Sequence, residues 1–396
     1  MFVATVIGRM DQMPAAVVLG SGMVGSVMAA DLGRDDGWSV TIVDRNEAAL
    51  AAAVERAKRY GATISTATAD LSDSTAIKHV IADADVVCGA LASHLGLNAL
   101  RAVIESRKPY CDISFMADDP LQLDALAREH GVTAVVDCGV APGMSNMLSG
   151  YATVALDEVD ALEIYVGGLP VERRLPFQYK AGFAPADVLE EYTRPSRIVE
   201  AGRTVVREAL TELEPIEFDG LGTLEAFNTD GLRSLVDTLD IPNMKEKTLR
   251  YPGHVAIMLA FREAGLFSTD LINVNGQTVR PLDVTSHLLF PKWTFEPDEP
   301  DVTVMRVLAH GRRDGRAMRL EWDLRDDFDP ETKTTSMGRT TAFPCTIVAR
   351  LLASGAYEQP GVIPPERLGQ ADGILDSVLE ALQLRGVRYC AREVAS

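Results

Sequence analysis

The stretch VVLGSGMVGSVMAADLG, residues 17–33, constrains the fold more than any other part of the chain. Val17, Val18 and Leu19 form an apolar run suited to a strand buried on both faces. Gly20, Gly22 and Gly25 follow in G-x-G-x-x-G spacing, and Val27, Met28, Ala29 and Leu32 then recur at helical intervals. In such a unit the first glycine permits the tight turn, the second lets a pyrophosphate touch the backbone, and the third brings helix and strand together. Unpaired N–H groups at the helix start add a partial positive charge. Gly20, Ser21, Gly22, Met23, Val24 and Gly25 are therefore assigned to a dinucleotide cofactor. A second strand, Ser39–Val43, leads into Asp44, where a carboxylate can hold the ribose hydroxyls of an adenosine. The same charge repels a 2′-phosphate, so NAD is expected over NADP. Arg45 is read as stacking near the adenine or standing in solvent. Ala90 and Leu91, at the end of a later strand, and Pro142 complete the expected cofactor contacts.

The first 140 or so residues keep a βα rhythm. Helix Glu47–Tyr60, strand Thr63–Thr68, a helix through Ile77–Ile81, the apolar strand Ala84–Ala90, helix Leu95–Ser106, strand Tyr110–Ile113, helix Leu121–His130 and strand Thr133–Val136 follow in turn. This is the alternation of an α/β, Rossmann-type doubly wound parallel sheet. Ligands of such sheets lie beyond the carboxyl ends of the strands, which singles out Leu91–His94, Asp112–Phe115 and Asp137–Asn146. After Asn146 the rhythm changes to a mostly antiparallel sheet. Its strands are read at Ala161–Val166, Val205–Leu210, Ile272–Val279, Thr303–Ala309 and Arg316–Leu324, the last two joined through the turn GRRDG at 311–315. The segment PKWTFEPDEPD, 291–301, reads as an acidic loop, and Thr340–Leu352 as a helix that can return to the first domain. The expected boundaries are 13–142 for the dinucleotide-binding domain, 143–336 for the substrate and oligomerisation domain, and 337–396 for returning C-terminal helices. Residues 1–12 read as a loose extension before Met13-Pro14.

A chain of 396 residues with 47% hydrophobic content calls for more than one domain with a sizeable core. Its net charge of −19 argues against nucleic acid and anionic lipid as partners. No apolar stretch approaches the roughly twenty residues of a membrane span. The opening MFVATVIGRMDQM lacks the basic start of a signal peptide, so a cytoplasmic location is expected. Five scattered cysteines, with no C-x-x-C, fit a reduced compartment, and with six scattered histidines they argue against a metal site.

Several motifs then carry a resemblance: GVAPGMSNMLSGYA (139–152), YVGGLP (165–170), YKAGFAPADVLEEYTRPSRIVEAG (179–202) and KTLRYPGH (247–254), in that order behind GSGMVG. Together they resemble the saccharopine dehydrogenase family over nearly the whole chain, and within it the L-lysine 6-dehydrogenases. The resemblance implies a GAPDH-like α+β substrate domain inserted after the Rossmann domain, NAD as cofactor, an amino-acid substrate and a homodimer or larger homo-oligomer. It also implies oxidative deamination of the ε-amino group of L-lysine to 2-aminoadipate 6-semialdehyde, which cyclises to a piperideine carboxylate, with ammonia released. Glutamate-forming saccharopine dehydrogenases resemble this chain less at one point: they carry an Asp before the Pro-Gly, where Ala141 stands here. A saccharopine-forming or saccharopine-cleaving enzyme is the alternative reading, and a non-catalytic NAD-binding regulator the more distant one.

Such a reaction needs an anchor for the α-carboxylate, a partner for the α-ammonium and a base for the reacting amine. Arg250, able to pair bidentately with a carboxylate, is the expected anchor, with Thr248 and Tyr251 beside it. Asp230, in FNTDG, is assigned to the ammonium, with an Asx-type turn as its structural alternative. For the base, Asp112 at the ligand edge of the sheet comes first, burial raising its pKa toward neutrality. His94 and Lys180 follow, with Asp137 also considered. Arg194 and Arg197 are assigned to loop packing, Ser145 and Asn146 to capping a helix, and Cys88 and Cys138 to the core.

Overall fold

The computed structural model describes residues 13–35 and 37–395, so the extension expected at 1–12 lies outside the described residues. Six strands run in the first third: β1 (Ala15–Leu19), β2 (Ser39–Asp44), β3 (Ser65–Thr68), β4 (Val86–Gly89), β5 (Tyr110–Asp112) and β6 (Thr133–Val135). All pair in parallel, in the order β6-β5-β4-β1-β2-β3. Side chains alternate across this sheet. Val18, Ile42, Cys88, Cys111 and Val135 join one buried cluster; Val17, Leu19, Val43, Val87 and Tyr110 join another on the opposite face. Burial on both faces is why these strands are continuously apolar, and helices cover both sides.

The second sheet gathers most of the strands after residue 156. They are β7 (Glu158–Pro170), β8 (Ser196–Glu200), β9 (Arg203–Arg207), β10 (Glu214–Phe218), β11 (Gly222–Asn228) and β12 (Met244–Arg250). The short hairpin β13 (Ile272–Val274) and β14 (Gln277–Val279) stands apart, and β15 (Asp301–Arg313) and β16 (Arg316–Asp327) follow. The main path runs β10-β11-β12-β7-β15-β16, with only β12 and β7 parallel among these pairs. Asp314 and Gly315 close the β15–β16 hairpin at φ +53° and +72°, the two left-handed residues that a tight hairpin of this twist requires. Ile272–Val279, read from sequence as one strand, is split by Asn275-Gly276 (φ +51° and +84°) into β13 and β14.

The C-terminal segment departs from the all-helical expectation. Helix Ser336–Ala353 packs on the first sheet, but β17 (Gly361–Ile363) then joins that sheet beside β6 as its seventh strand. A last strand, β18 (Tyr389–Ala395), pairs with β16 in the second sheet. The fully buried Asp31 fixes the return of the chain: it accepts from Thr346 at 2.6 Å, Arg350 at 2.9 Å and Arg385 at 2.8 Å. No helix among the described residues is long and apolar enough to cross a membrane.

Candidate active site

The glycine loop sits where β1 meets the helix Gly25–Gly33. Gly20 has φ +100°, and a Cβ there would lie 2.4 Å from the Ala90 carbonyl oxygen. A Cβ on Gly25 would lie 2.0 Å from the Gly20 oxygen, so the third glycine sets the approach of helix to loop. Gly22 differs: a Cβ there would meet nothing within 4 Å, and its face opens into a cavity. Ser21 Oγ is buried with no partner among the described residues. Asp44 accepts from the Ser21 amide at 2.8 Å and the Asn46 amide at 2.9 Å, which ties the acidic strand end to the loop. Open space over Gly22, an unpaired hydroxyl and a fixed carboxylate fit a dinucleotide. Residues 21–25 would hold its pyrophosphate and Asp44 its adenosine ribose. Arg45 is exposed beside them.

The cavity measures about 510 Å³ and lies between the two sheets. From the first come Gly22–Gly25, Ala90–Ala92, Phe115 and Ala141-Pro142; from the second, Val166–Gly168 of β7 and Thr248 and Arg250 of β12. The loop 179–184 and helix Pro185–Thr193 close one side, and Asp187 and Glu191, one turn apart on that helix, both line the cavity. Burial raises the pKa of both acids; Arg250 opposes the shift at Glu191.

Arg250 is 2% exposed. Its guanidinium donates to Tyr192 Oη at 3.1 Å, the Leu249 carbonyl at 2.9 Å, Tyr179 Oη at 3.4 Å and the Glu191 carboxylate. It also lies 4.3 Å from the centroid of the Tyr179 ring. Tyr192 Oη is in turn 2.9 Å from His254 Nε2, while His254 Nδ1 is bonded to the Phe177 carbonyl. Burial and the neighbouring guanidinium hold His254 down at about 3, so this ring is neutral.

A smaller chamber of about 70 Å³ continues past Ala141, Pro142, Val166, Glu191 and Thr248, which line both spaces. Its inner wall carries Thr229, Asp230 and Glu246. Glu246 is 4% exposed, and burial pushes it up to about 8, against the Thr229 hydroxyl bond and with the repulsion of Glu191 and Asp230. Glu246, Thr248 and Arg250 alternate along β12, so one strand face presents a carboxylate, a hydroxyl and a guanidinium.

Among the residues singled out from sequence, Gly22, Met23, Val24, Gly25, Ala90, Leu91, Pro142, Thr248 and Arg250 meet at the cavity. Others stand elsewhere. Asp112 is fully buried and is not among the residues lining the cavity or its side chamber: it accepts from Tyr110 Oη at 2.7 Å, the Ser114 amide at 2.8 Å and Ser114 Oγ at 2.9 Å. Burial does push it up to about 8, and its carboxyl lies against Gly89 of the neighbouring strand, held by Tyr110 and Ser114. Lys180 is paired with Glu299, and His94 is exposed in the first turn of helix Ser93–Glu105. Asp230 pairs with Arg197 at 3.0 Å and faces the chamber rather than the main cavity. Tyr251 donates to the Pro170 carbonyl at 3.0 Å, away from the cavity. Asp137 pairs with Arg233 at 3.2 Å. Asn146 accepts from the Gly143 amide at 3.3 Å and donates to Glu366 at 3.3 Å, a cap that also ties down the C-terminal segment.

A glycine loop with these features, opening onto a largely apolar cavity with a few charged groups and shared with a second sheet, defines a nicotinamide-dependent oxidoreductase. The chain belongs to the saccharopine dehydrogenase family: residues 16–135 match the saccharopine dehydrogenase NADP binding domain and 139–387 the saccharopine dehydrogenase C-terminal domain. It is similar to the mitochondrial alpha-aminoadipic semialdehyde synthase of Bos taurus, 22% identical over 444 residues, covering 94% of this chain and 47% of that protein. It is also similar to the NADP(+)-dependent, L-glutamate-forming saccharopine dehydrogenase of Saccharomyces cerevisiae, 24% identical, covering 71% of this chain and 65% of the yeast enzyme. The carboxynorspermidine synthase of Vibrio cholerae is 22% identical, over 67% of this chain and 64% of that one. The chain thus spans about half the length of the semialdehyde synthases it matches. The solved yeast apo saccharopine dehydrogenase superposes with a TM-score of 0.79 at 18% identity, covering 96% of this chain and all of that one, and shares the fold.

Proposed function

We propose that this oxidoreductase uses NAD to oxidise the ε-amine of L-lysine, giving 2-aminoadipate 6-semialdehyde, its cyclic piperideine carboxylate and ammonia. The observation that carries the reading is the charge of the cavity. Among the described residues, its lining holds one cation, Arg250, against Asp187 and Glu191. A substrate with one carboxylate and two amines matches that balance; saccharopine, with three carboxylates, does not. Arg250, exchanging its bond to Glu191, takes the α-carboxylate, and the Glu191 carboxylate so released takes the α-ammonium. Phe115, Val166 and Phe183 line the path of the methylene chain and keep water from it. The nicotinamide of a dinucleotide held by residues 21–25 would supply the hydride acceptor for the carbon bearing the amine. Asp44, fixed by the Ser21 amide, would accept ribose hydroxyls and repel a 2′-phosphate, which favours NAD although the matching domain is described as NADP binding.

The second reading, saccharopine, is favoured by a cleft of about 250 Å³ that holds Arg194, Arg197 and Arg233. Each of the three is paired, with Glu190, Asp230 and Asp137, as Arg250 is with Glu191. Reduction of NAD and NADP measured with L-lysine, L-ornithine and saccharopine separates the readings. Lysine-dependent NADH and ammonia are expected; turnover of saccharopine without turnover of lysine would transfer the chain to the second reading.

A further inference from the structure

The lysine reading leaves open where the proton of the reacting amine goes. An ammonium cannot release hydride from its carbon until it has lost that proton. Asp112 and Lys180 are not part of the cavity lining, and of the two acids that are, Asp187 and Glu191, the lysine reading uses Glu191 for the α-ammonium. The side chamber supplies another acceptor. Thr248 lines both cavity and chamber, and its Oγ1 lies 2.9 Å from Thr229 Oγ1. The Thr229 hydroxyl in turn donates to Glu246 Oε2. All three side chains are 4% exposed. An unbroken line of hydroxyls therefore runs from the cavity wall to a buried carboxylate.

Packing alone does not account for Glu246. Its neighbour acids each have a cation: Glu191 has Arg250 and Asp230 has Arg197. Glu246 has none among the described residues; its donors are the neutral Thr229 hydroxyl and the Gly231 amide. An uncompensated buried carboxylate costs stability that an apolar side chain in β12 would not. The groups facing it are Glu190, Glu191 and Arg194 from the helix 185–193 and its end, and Thr229 and Asp230 from the turn after β11.

We infer that Glu246 is the proton acceptor of the reaction, reached from the substrate through the hydroxyls of Thr248 and Thr229. The step balances without any redox change. The amine's N–H proton passes to Thr248 Oγ1, the Thr248 proton to Thr229 Oγ1, and the Thr229 proton to Glu246 Oε2. One N–H bond is lost, one carboxyl O–H bond forms, and each hydroxyl ends as it began. The neutral amine keeps the electron pair needed to drive hydride departure. Glu246 titrates at about 8, which matches it to proton traffic near neutral pH. This assignment rests on the oxidation of an amine in the cavity, not on which amine it is.

The test is steady-state kinetics on the full chain with Glu246→Gln, Thr248→Val and Thr248→Ser. Glu246→Gln and Thr248→Val should lower kcat near pH 7 by about 10²–10⁴-fold, while KM for lysine and the affinity for NADH stay within about threefold. Wild-type kcat/KM should rise with pH through a limb near 8, and both variants should lose that limb. Thr248→Ser, which keeps the hydroxyl, should restore rate and limb. If Glu246→Gln fails to fold, the near-isosteric Thr248→Val and its serine control carry the test alone. A wild-type limb and rate in Thr248→Val, or a loss confined to KM, overturns the relay. If the wild type oxidises saccharopine instead, the lysine reading falls, and the same variants measured on that secondary amine still decide the relay.

Discussion

Arg250→Met removes the guanidinium and keeps an apolar stem of similar reach. In the folded protein this group makes four hydrogen bonds, to Tyr192, Leu249, Tyr179 and Glu191. The first consequence is local. Glu191 loses the cation that holds its pKa down, so burial drives it further up and a carboxylate is left unpaired. Breaking one side of such a pair costs about 3–5 kcal/mol of stability. The second consequence is catalytic, because the carboxylate of the proposed substrate loses its cationic partner in the cavity. A loss of about 3–5 kcal/mol there corresponds to two to four decades in kcat/KM for L-lysine. The effects separate in the double variant Arg250→Met/Glu191→Met, which removes both charges and should recover most of the stability without recovering lysine oxidation. The assay is NADH formation with L-lysine and with n-butylamine, which lacks the carboxylate, beside urea denaturation of each variant. Lysine should lose at least ten times more than butylamine in the single variant, as about 1.4 kcal/mol of differential binding requires. Equal losses for the two amines would show that Arg250 only braces the fold, and the substrate assignment would fall with it.

Gly22→Ala should fold with a melting temperature within about 2 °C of wild type, since its Cβ meets no protein atom, yet weaken NADH binding by about 10- to 100-fold in a fluorescence titration. Gly25→Ala, whose Cβ would lie 2.0 Å from the Gly20 oxygen, should lose stability as well as cofactor. Asp44→Ser should weaken NAD by about 1.5–3 kcal/mol and narrow the preference over NADP, as compared by kcat/KM for each cofactor. Asp112 titrates at about 8 in the fold against about 3.9 unfolded, so its stabilising contribution is full below pH 3.9 and is lost as pH rises through 8. Asp112→Asn should therefore flatten the fall of stability across that window, followed by thermal melts at several pH values, and should change turnover by less than about fivefold.

The nucleotide-binding half was legible because its signals are local. An apolar run, three glycines and an acid at a strand end each state their own geometry, and G-x-G-x-x-G has few other uses beside a buried strand. Asp112 shows the limit of that reasoning. It ends β5, close to where the sequence reading put it, but the direction of its carboxyl depends on Gly89 in the neighbouring strand, which leaves the room it occupies. Glu191 and Glu246 were missed for a related reason. An acidic helix turn and a Lys-Glu-Lys run both resemble solvated surface. Only the packing of helix 185–193 against β12 turns them inward. Two features were missed although local signals existed. Asn275-Gly276 is a hairpin dipeptide inside what was read as one strand, and alternation along Glu246-Lys247-Thr248-Leu249-Arg250 already set the acid on the same face as the arginine. β17 and β18 had no such signal: at three and seven residues, they are strands because a sheet edge waits for them.

The late strands have a consequence for how the molecule is made. Synthesis runs from the amino end, and the glycine loop with its first six strands leaves the ribosome within the first third of the chain. Yet β6 keeps an open edge until residues 361–363 emerge, and β16 keeps one until 389–395 follow. Asp31, buried among arginines in the finished molecule, meanwhile waits for Arg350 and Arg385. The sheet that reads as a cofactor fold is thus completed only by residues more than two hundred positions further along, and until they arrive it presents an unpaired strand edge and an Asp31 that has only Arg34 for a partner. The first sheet closes its edge only with residues 361–363 and the second only with 389–395, which makes residues 361–395 the clasp on which both depend.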